Sequence, residues 1–445
     1  MSWESPVYYK TMKNTSKKVA FHTLGCKLNY AETSTIGRQF EAAGYEKIDF
    51  DQAADLYVIN TCSVTENADR EFRKIVNKAK RQSPDSKVAV IGCYAQLRPE
   101  NIVATSKVDV VLGTMEKFNL LKHLEFESDK DTPLVIQDSE IDEIHGCIPS
   151  YSVGDRTRSF LKIQDGCDYP CTYCTIPLAR GISRSIDPDI LVNQAQEIAS
   201  QGVKEIVLTG VNVGDYRFAN AITLIDLLKR LDVVSGIERI RISSIEPNLL
   251  TDEIIKFVSE SRTILPHFHI PLQAGSDKIL SLMKRRYGVD LYRDRIRAVR
   301  STLPDAGIGV DVIVGFPGEG EAEFQATCAL IESLDISYLH VFTYSERPNT
   351  EAISLPGKVD MRDRKIRNKR LTELSERKNQ AFALRQLNQS KRVLLESSKN
   401  GELSGMTENY LKVHIADQSN LALNKIVEVE LTGLQNSKIL ASITS

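Results

Sequence analysis

The stretch Cys167-Asp168-Tyr169-Pro170-Cys171-Thr172-Tyr173-Cys174 places three cysteines in eight residues at C-x3-C-x2-C spacing. Three thiolates on one tight loop hold three irons of a 4Fe-4S cube, whereas a cube ligated wholly by protein needs four cysteines. One iron is left open. The competing reading, a closed zinc knuckle, needs a fourth Cys or His nearby. The nearest candidates, Cys147 and His145, lie upstream and outside any usual zinc spacing.

A chain of 445 residues is too long for one ordinary domain; the length prior is about three. Its 42% apolar and 26% charged residues are those of a soluble globular protein. No apolar run reaches the ~18 residues of a membrane span, and residues 1–6 lack the basic and apolar regions of a signal peptide. A cytoplasmic protein without a membrane anchor is expected. There, eight cysteines imply metal ligation or reduced core thiols rather than disulfides. The net charge of -2 gives no global hint of nucleic acid. Two local runs do: Lys284, Arg285, Arg286, Arg293, Arg295, Arg297 and Arg300 against Asp290 and Asp294, then Lys358 to Arg370.

From Lys18 to about His123 the pattern repeats strand, turn, helix. Strands are predicted at Lys18–Gly25, Asp55–Asn60 and Lys87–Gly92, with helices at Ala31–Ala43 and Asp69–Arg81; the alternation predicts a doubly wound α/β domain over 17–130. A linker is predicted from Thr132 to Gly154. Six strands then follow at Ser159–Ile163, Glu205–Leu208, Arg239–Ile242, His267–Ile270, Ile308–Ile313 and Tyr338–Val341. Separated by helical patterns, they predict a partial (β/α)6 barrel over 153–380, with chemistry at the C-terminal ends of its strands. The cysteine loop directly follows the first. After a charged helix, Arg362 to Asn388, strands at Arg392–Glu396, Tyr410–Ile415, Ile426–Leu431 and Ile439–Ile443 predict a small all-β module over 383–445.

Cys26, Cys62 and Cys93 each fall at or just beyond the end of a predicted strand of the first domain, spaced by about one βαβ step of ~30 residues. All three thiols can therefore converge at one sheet edge, where open α/β sheets bind ligands. Singly each would read as an inert core cysteine; together they read as a shared ligand set, again with one open iron. Cys328, within an apolar helical pattern, reads as core, and Cys147 belongs to neither set.

The Cys167–Cys174 loop, with Tyr173 before the third cysteine, resembles that of the radical-SAM superfamily. Gly25-Cys26-Lys27-Leu28-Asn29, Asn60-Thr61-Cys62-Ser63-Val64-Thr65 and Gly92-Cys93-Tyr94-Ala95-Gln96 resemble the N-terminal motifs of the radical-SAM methylthiotransferases. The order of motifs matches over almost the whole chain. The resemblance implies two 4Fe-4S clusters, an auxiliary one on Cys26, Cys62 and Cys93 and a radical one on Cys167, Cys171 and Cys174, and a C-terminal TRAM module that binds RNA. It also implies two uses of S-adenosylmethionine, as methyl donor and as source of a 5′-deoxyadenosyl radical, the kind of agent an unactivated aromatic C–H demands.

Other cofactor contacts follow from the same resemblance and from strand-end placement. They are Tyr173, Gly210, Asn212, Ser244, Glu246, Gln273, Arg285 and the Gly315-Phe316-Pro317 loop, where glycine permits close backbone approach to a ligand. His267 and His269 share a face, but no neighbouring acid or cysteine is evident to make them a metal site. Within the family, Thr23-Leu24-Gly25-Cys26-Lys27-Leu28-Asn29 is most similar to the branch acting on threonylcarbamoyladenosine beside the tRNA anticodon. Isopentenyladenosine in tRNA and a ribosomal-protein aspartate are the other family substrates. A non-catalytic iron-sulfur RNA-binding or electron-transfer protein is the alternative of another class. The implied partners are the anticodon stem-loop, a reductant such as flavodoxin or ferredoxin and a sulfur donor. The carboxylate of the modified base calls for a cation, and an arginine suits it.

Overall fold

The computed structural model describes residues 16–62, 66–125, 132–137, 141, 144, 146–154, 156–416 and 421–444. The sequence features at residues 1–6, 63–65 and 145 lie outside them.

Val19 and Ala20 are adjacent in the strand Lys18–Thr23, point to opposite faces and are both fully buried. Burial on both faces is what a parallel sheet between helices requires. Six parallel strands run in the order Glu46–Ile48, Lys18–Thr23, Leu56–Thr61, Lys87–Gly92, Val110–Leu112, Leu134–Ile136. Helix Lys27–Ala42 sets Ile36 and Phe40 against Val58 and Ile91 on one face, and helix Glu66–Gln82 sets Phe72 and Val76 against Ile59 and Val90 on the other. The doubly wound domain is therefore as expected. Three of its strands are not: Glu46–Ile48, Val110–Leu112 and Leu134–Ile136 have three residues each, too few to show a period. The last falls inside the predicted linker and extends the sheet by pairing with Val110–Leu112. The linker is also held at Tyr151, whose carbonyl accepts from Arg38 Nη2 at 2.9 Å.

The central strands are Arg158–Lys162, Glu205–Thr209, Arg239–Ile242, His267–His269, Gly307–Val314 and Tyr338–Thr343. They form two parallel three-stranded sets joined by the parallel bridges Ile240↔Ile264 and Ser244↔His269, a six-stranded partial barrel. Its lumen-facing Phe160 and Val207 pack on Tyr30 and Ala31 of the first domain, so helix Lys27–Ala42 lies against the barrel's inner wall.

Helix Met361–Arg385 ends by delivering Phe382 and Ala383 to the core of a closed five-stranded barrel, Ser390–Lys399, Glu402–Thr407, Lys412–Ala416, Lys438–Ile443 and Ile426–Gln435 in spatial order. The strand Glu402–Thr407 escapes the sequence pattern because Ser404-Gly405 reads as a turn. Here the glycine is a close-approach residue: a Cβ on Gly405 would lie 2.1 Å from the Leu394 carbonyl oxygen. Tyr410, predicted within a strand, instead sits at φ 71° in the next turn. That turn plugs the floor of the central barrel. Arg239 donates to the Met406 and Thr407 carbonyls at 3.1 and 3.0 Å, Arg241 donates to that of Glu408 at 3.1 Å, and the Tyr410 ring lies 4.4 Å from His267. The single aromatic of the module is thereby committed to the barrel and is not available to stack on RNA. Among the described residues no helix is long and apolar enough to cross a membrane.

The plug makes Gly307 a test of this junction, since a Cβ there would lie 2.1 Å from the Asn409 carbonyl oxygen, whereas Gly433 has nothing within 4 Å. Gly307→Ala is expected to destabilise the protein by about 1–3 kcal/mol, the usual cost of overpacking, and Gly433→Ala to leave it unchanged or slightly stabler. Thermal unfolding of the two variants checks this.

Candidate functional site

The strand Arg158–Lys162 runs into the loop that carries Cys167, Cys171 and Cys174, and all three sulfurs are half-buried. Each receives one donor: the Tyr169 N–H reaches Cys167 Sγ at 3.4 Å, Arg285 Nη1 reaches Cys171 Sγ at 3.0 Å and the Ile176 N–H reaches Cys174 Sγ at 3.5 Å. One donor per sulfur is what thiolate ligands of a cluster need. Burial pushes Cys167 and Cys174 up to about 12 and raises Cys171 as well, against the opposing guanidinium of Arg285. The free thiols are thus neutral, and binding a metal expels their protons. Arg285 also meets the Tyr173 hydroxyl at 3.4 Å and is ion-paired to Glu246. Backbone bonds brace the loop, Thr172 N–H to the Met283 carbonyl and Ala352 N–H to that of Thr172.

The second set forms where three parallel strands end. A Cβ on Gly25, at φ 97°, would lie 2.9 Å from Cys62 Sγ, so the Gly25-Cys26 turn sits directly on Cys62. Asn29 holds that turn, donating to the Leu24 and Thr61 carbonyls at 2.9 Å each, while Cys26 Sγ lies 3.8 Å from its Oδ1. Cys93 begins the short helix Cys93–Leu97 behind Gly92, whose Cβ would lie 2.3 Å from Asn60 Oδ1. Its sulfur accepts from Arg180 Nε at 3.3 Å, and Arg180 Nη2 bonds Asn29 Oδ1 at 2.6 Å. Arg180 ends the helix Ile176–Arg180 that follows Cys174. One guanidinium therefore leads from the first cysteine set to the second.

Between the loop and the strand ends lies a cavity of 240 Å³ lined by Tyr173, Cys174, Gln273, Asp311, Ile313, Phe342 and Tyr344 among others. Gln273 reaches it through a φ of 66°. Asn212 is nine-tenths buried with neither its Oδ1 nor its Nδ2 partnered among the described residues, at a strand end whose N–H groups at Val211 and Asn212 are held by Gln164 Oε1. A buried amide with both ends unmet calls for a polar ligand. An apolar cavity beside a three-thiol loop, with such an amide at a neighbouring strand end, fits a nucleoside-bearing cofactor.

Other predicted contacts take different places. Gly210 packs against Gln164, and Ser244 Oγ is 2.5 Å from His269 Nδ1. Gly315 is glycine because a Cβ would lie 2.3 Å from Arg364 Cγ, a side chain rather than a ligand. Phe316 is fully buried, edge-on to Tyr173 and Tyr344, and together with Pro317 it is absent from the cavity lining. Cys328 is core, as expected; Cys147 is half-buried, its thiol raised to about 11 by burial. The statement that no acid adjoins the two histidines is corrected: Asp311 lies 2.9 Å from His269 Nε2, and with His340 makes a polar wall in the lumen. Their joining depends on barrel closure, which spacing does not reveal.

The basic runs are largely ion-paired. Lys284 to Arg300 is not one helix face, since the chain turns at Lys284 (φ 55°) before helix Val289–Thr302. Lys284 pairs with Glu351, Arg293 with Asp290, Arg295 with Asp252, Arg297 with Asp294 and Arg300 with Asp335, while Arg286 donates to the Asp168 carbonyl. In the second run Arg364 and Arg367 are buried against Glu346 and Glu319. Sequence reading missed Arg180, Asn29, Asn60, Ile313 and Tyr344. The available signal was an asparagine beside each cysteine, Asn60 at a strand end two residues before Cys62 and Asn29 in the first helical turn three after Cys26.

Residues 18–113 match the uncharacterized protein family UPF0004 and residues 161–331 the radical SAM superfamily. The chain is 40% identical over 431 residues to the threonylcarbamoyladenosine tRNA methylthiotransferase MtaB of Bacillus subtilis, covering 93% of each chain. It is 38% identical to the protein of the same name in Aquifex aeolicus, covering 89% of this chain and 96% of that one. Against the tRNA-2-methylthio-N(6)-dimethylallyladenosine synthase of Natranaerobius thermophilus the identity is 34%, covering 94% of each. A solved radical S-adenosylmethionine methyltransferase, TsrM from Kitasatospora setae, superposes with a TM-score of 0.55 at 14% identity over 76% of this chain and 74% of that one, a likeness of fold. With cysteine geometry, barrel and full-length relatives in agreement, the chain belongs to the radical-SAM tRNA methylthiotransferases, enzymes that use iron-sulfur clusters and S-adenosylmethionine.

Proposed function

We propose that the enzyme methylthiolates C2 of N6-threonylcarbamoyladenosine next to the tRNA anticodon, with one 4Fe-4S cluster on Cys167, Cys171 and Cys174 and a second on Cys26, Cys62 and Cys93. The observation that carries this reading is the link between two sets of three cysteines on separate domains, Arg180 leading from the helix after Cys174 to Cys93 Sγ. Bound clusters and two molecules of S-adenosylmethionine supply a primary carbon radical for the C–H bond and a methyl group for sulfur.

The protein's own residues do the holding. Arg285 and two backbone N–H groups fix the sulfurs of one set, Arg180 and Asn29 orient the other, and Tyr173, propped by Phe316, walls the cavity. Asn212 offers an amide to the cofactor. A low-potential reductant such as flavodoxin or ferredoxin and a sulfur donor complete the reaction. Lys399, Lys412 and Lys425 of the C-terminal barrel are exposed without ion-pair partners among the described residues, and suit the phosphates of an anticodon stem-loop.

Lys27 favours threonylcarbamoyladenosine over dimethylallyladenosine. It follows Cys26 directly and lies between the domains, with part of its side chain open to solvent and no ion-pair partner among the described residues. Enclosure between the domains lowers its pKa to about 8, with Arg158 and Arg241 adding to the effect. Those arginines are themselves held by Glu396 and Glu205. A carboxylate would satisfy the free ammonium, whereas a dimethylallyl group would leave it unpaired. The expected arginine is thus replaced by a lysine.

Three experiments test the scheme. Cys171→Ala is expected to abolish 5′-deoxyadenosine formation and Cys62→Ala to preserve it while ending methylthiolation; normal cofactor cleavage by the first variant rules the assignment out. Lys27→Gln, at unchanged iron content, is expected to lose about 2 kcal/mol of substrate recognition, roughly 30-fold in kcat/KM. Mass spectrometry of tRNA nucleosides from a deletion strain decides the substrate, and unchanged 2-methylthio-threonylcarbamoyladenosine would refute it.

A further inference from the structure

Arg180 belongs by sequence to the radical loop, six residues beyond Cys174, yet none of its hydrogen bonds serves that loop's cysteines. Its side chain is 1% exposed and crosses to the first domain. Nε donates to Cys93 Sγ at 3.3 Å, Nη2 to Asn29 Oδ1 at 2.6 Å, and Nη1 to Glu32 Oε1 at 3.1 Å and Asp165 Oδ1 at 2.8 Å. Lys117 and Lys162 share the same carboxylates at 2.6 to 2.9 Å. All five ionic side chains are at most 3% exposed. Three buried cations thus face two buried anions, and Arg184, 3.9 Å from Asp165, adds to the excess.

A buried charge without a counter-charge is strongly destabilising. Asn29 is neutral, so the ionisable neighbours left to absorb the surplus are the thiol of Cys93, which accepts from Arg180, and that of Cys26. A neutral thiol does so poorly; a thiolate ligating an anionic cluster does so fully. We propose that Arg180 is a positioning residue for the auxiliary cluster, fixing Cys93 and supplying it a charged hydrogen bond, so that a residue of the radical domain sets the auxiliary cluster's redox poise. The proposal rests on the reading that Cys26, Cys62 and Cys93 hold a cluster. Hydrogen bonds to cluster sulfurs and local charge are among the factors that set reduction potential; a donor and a positive charge favour the reduced state. Lysine retains the charge but lacks the fork that meets four partners at once.

The test uses the full-length chain with Cys167, Cys171 and Cys174 all replaced by alanine, reconstituted with iron and sulfide, so that the remaining signal belongs to the auxiliary set. Iron content and a redox titration followed by electron paramagnetic resonance are measured on this parent, then with Arg180→Gln and Arg180→Lys added. The midpoint potential is expected to fall with glutamine and to recover in part with lysine. A glutamine variant that loads its cluster and keeps the parent's potential overturns the proposal. If glutamine prevents folding, the lysine variant decides: a potential and spectrum identical to the parent's overturn it, and a lowered potential supports it. A parent that takes up no iron refutes the auxiliary-cluster reading and the proposal with it, an outcome separated from the others by the iron assay.

Discussion

The carboxylate of Glu32 has no solvent exposure and divides its two oxygens among Lys117, Lys162 and Arg180. Burial works to protonate it. The guanidinium of Arg180 and the two ammonium groups outweigh burial and hold it well below the usual carboxylate range. The cations do not share alike: burial wins at Lys117, which loses its proton more readily than usual, while Lys162, bound to both Asp165 and Glu32, is raised. Glu32 lies on helix Lys27–Ala42 of the first domain, whereas Lys162 and Arg180 lie on the barrel. Lys117 shares the domain of Glu32, so the full set of three cations forms only when the domains are docked. Breaking such a group leaves an uncompensated buried ion, at about 3–5 kcal/mol, even where the intact network adds little net stability. It acts on geometry, holding one sheet edge over the radical loop.

The same device recurs at the other end of the barrel. Glu205 is fully buried, with Arg239 at 2.7 Å and Arg241 at 3.1 Å, and both arginines spend their remaining donors on carbonyls of the C-terminal module. Backbone carbonyls in a tight turn offer oxygens at fixed positions, so the turn is read by shape rather than by side chain. This explains why Tyr410 and Gly307 meet there: the ring fills the floor above the arginines, and the glycine admits the Asn409 carbonyl. Both appended domains are thus registered to the barrel by a buried glutamate serving several cations. The outer surface of the small barrel, with Lys399, Lys412 and Lys425, is in consequence presented at a fixed orientation to the site.

Much of this was legible in the chain. Cysteine spacing marked one set of three thiols and strand-end placement the other, because in parallel α/β structure residues one βαβ step apart end at the same sheet edge. Six barrel strands were visible since burial on both faces or on alternate residues leaves a hydrophobic record. Charge leaves no comparable record. Arg180 and Glu32 are 148 residues apart and Arg239 and Thr407 168 apart, so nothing in local pattern marks them as partners. The run from Lys284 to Arg300 shows the same thing: Lys284, Arg295 and Arg300 are countered by acids from distant segments, and Arg285 donates to a cysteine sulfur. Glycines misled in a narrower sense. Close approach was expected at Gly315, but the approaching group is the Arg364 side chain rather than a ligand.

Arg285 and Arg180 repeat one arrangement, a guanidinium that hydrogen-bonds a cysteine sulfur and is itself held by a glutamate, with Cys171 and the half-buried Glu246 in one case and Cys93 and the buried Glu32 in the other. The fork of arginine explains the choice, since it directs one arm to sulfur while others bind oxygen. The two copies differ in what surrounds the glutamate. Glu32 is met by three cations and stays ionised, whereas Glu246 has Arg285 alone, and there burial raises its pKa. A carboxylate with one partner and a side chain still 14% exposed has freedom that Glu32 lacks. The auxiliary pair is therefore the fixed one, locked by the domain junction. The pair of Arg285 and Glu246, beside Tyr173 of the cavity wall, is the less constrained one.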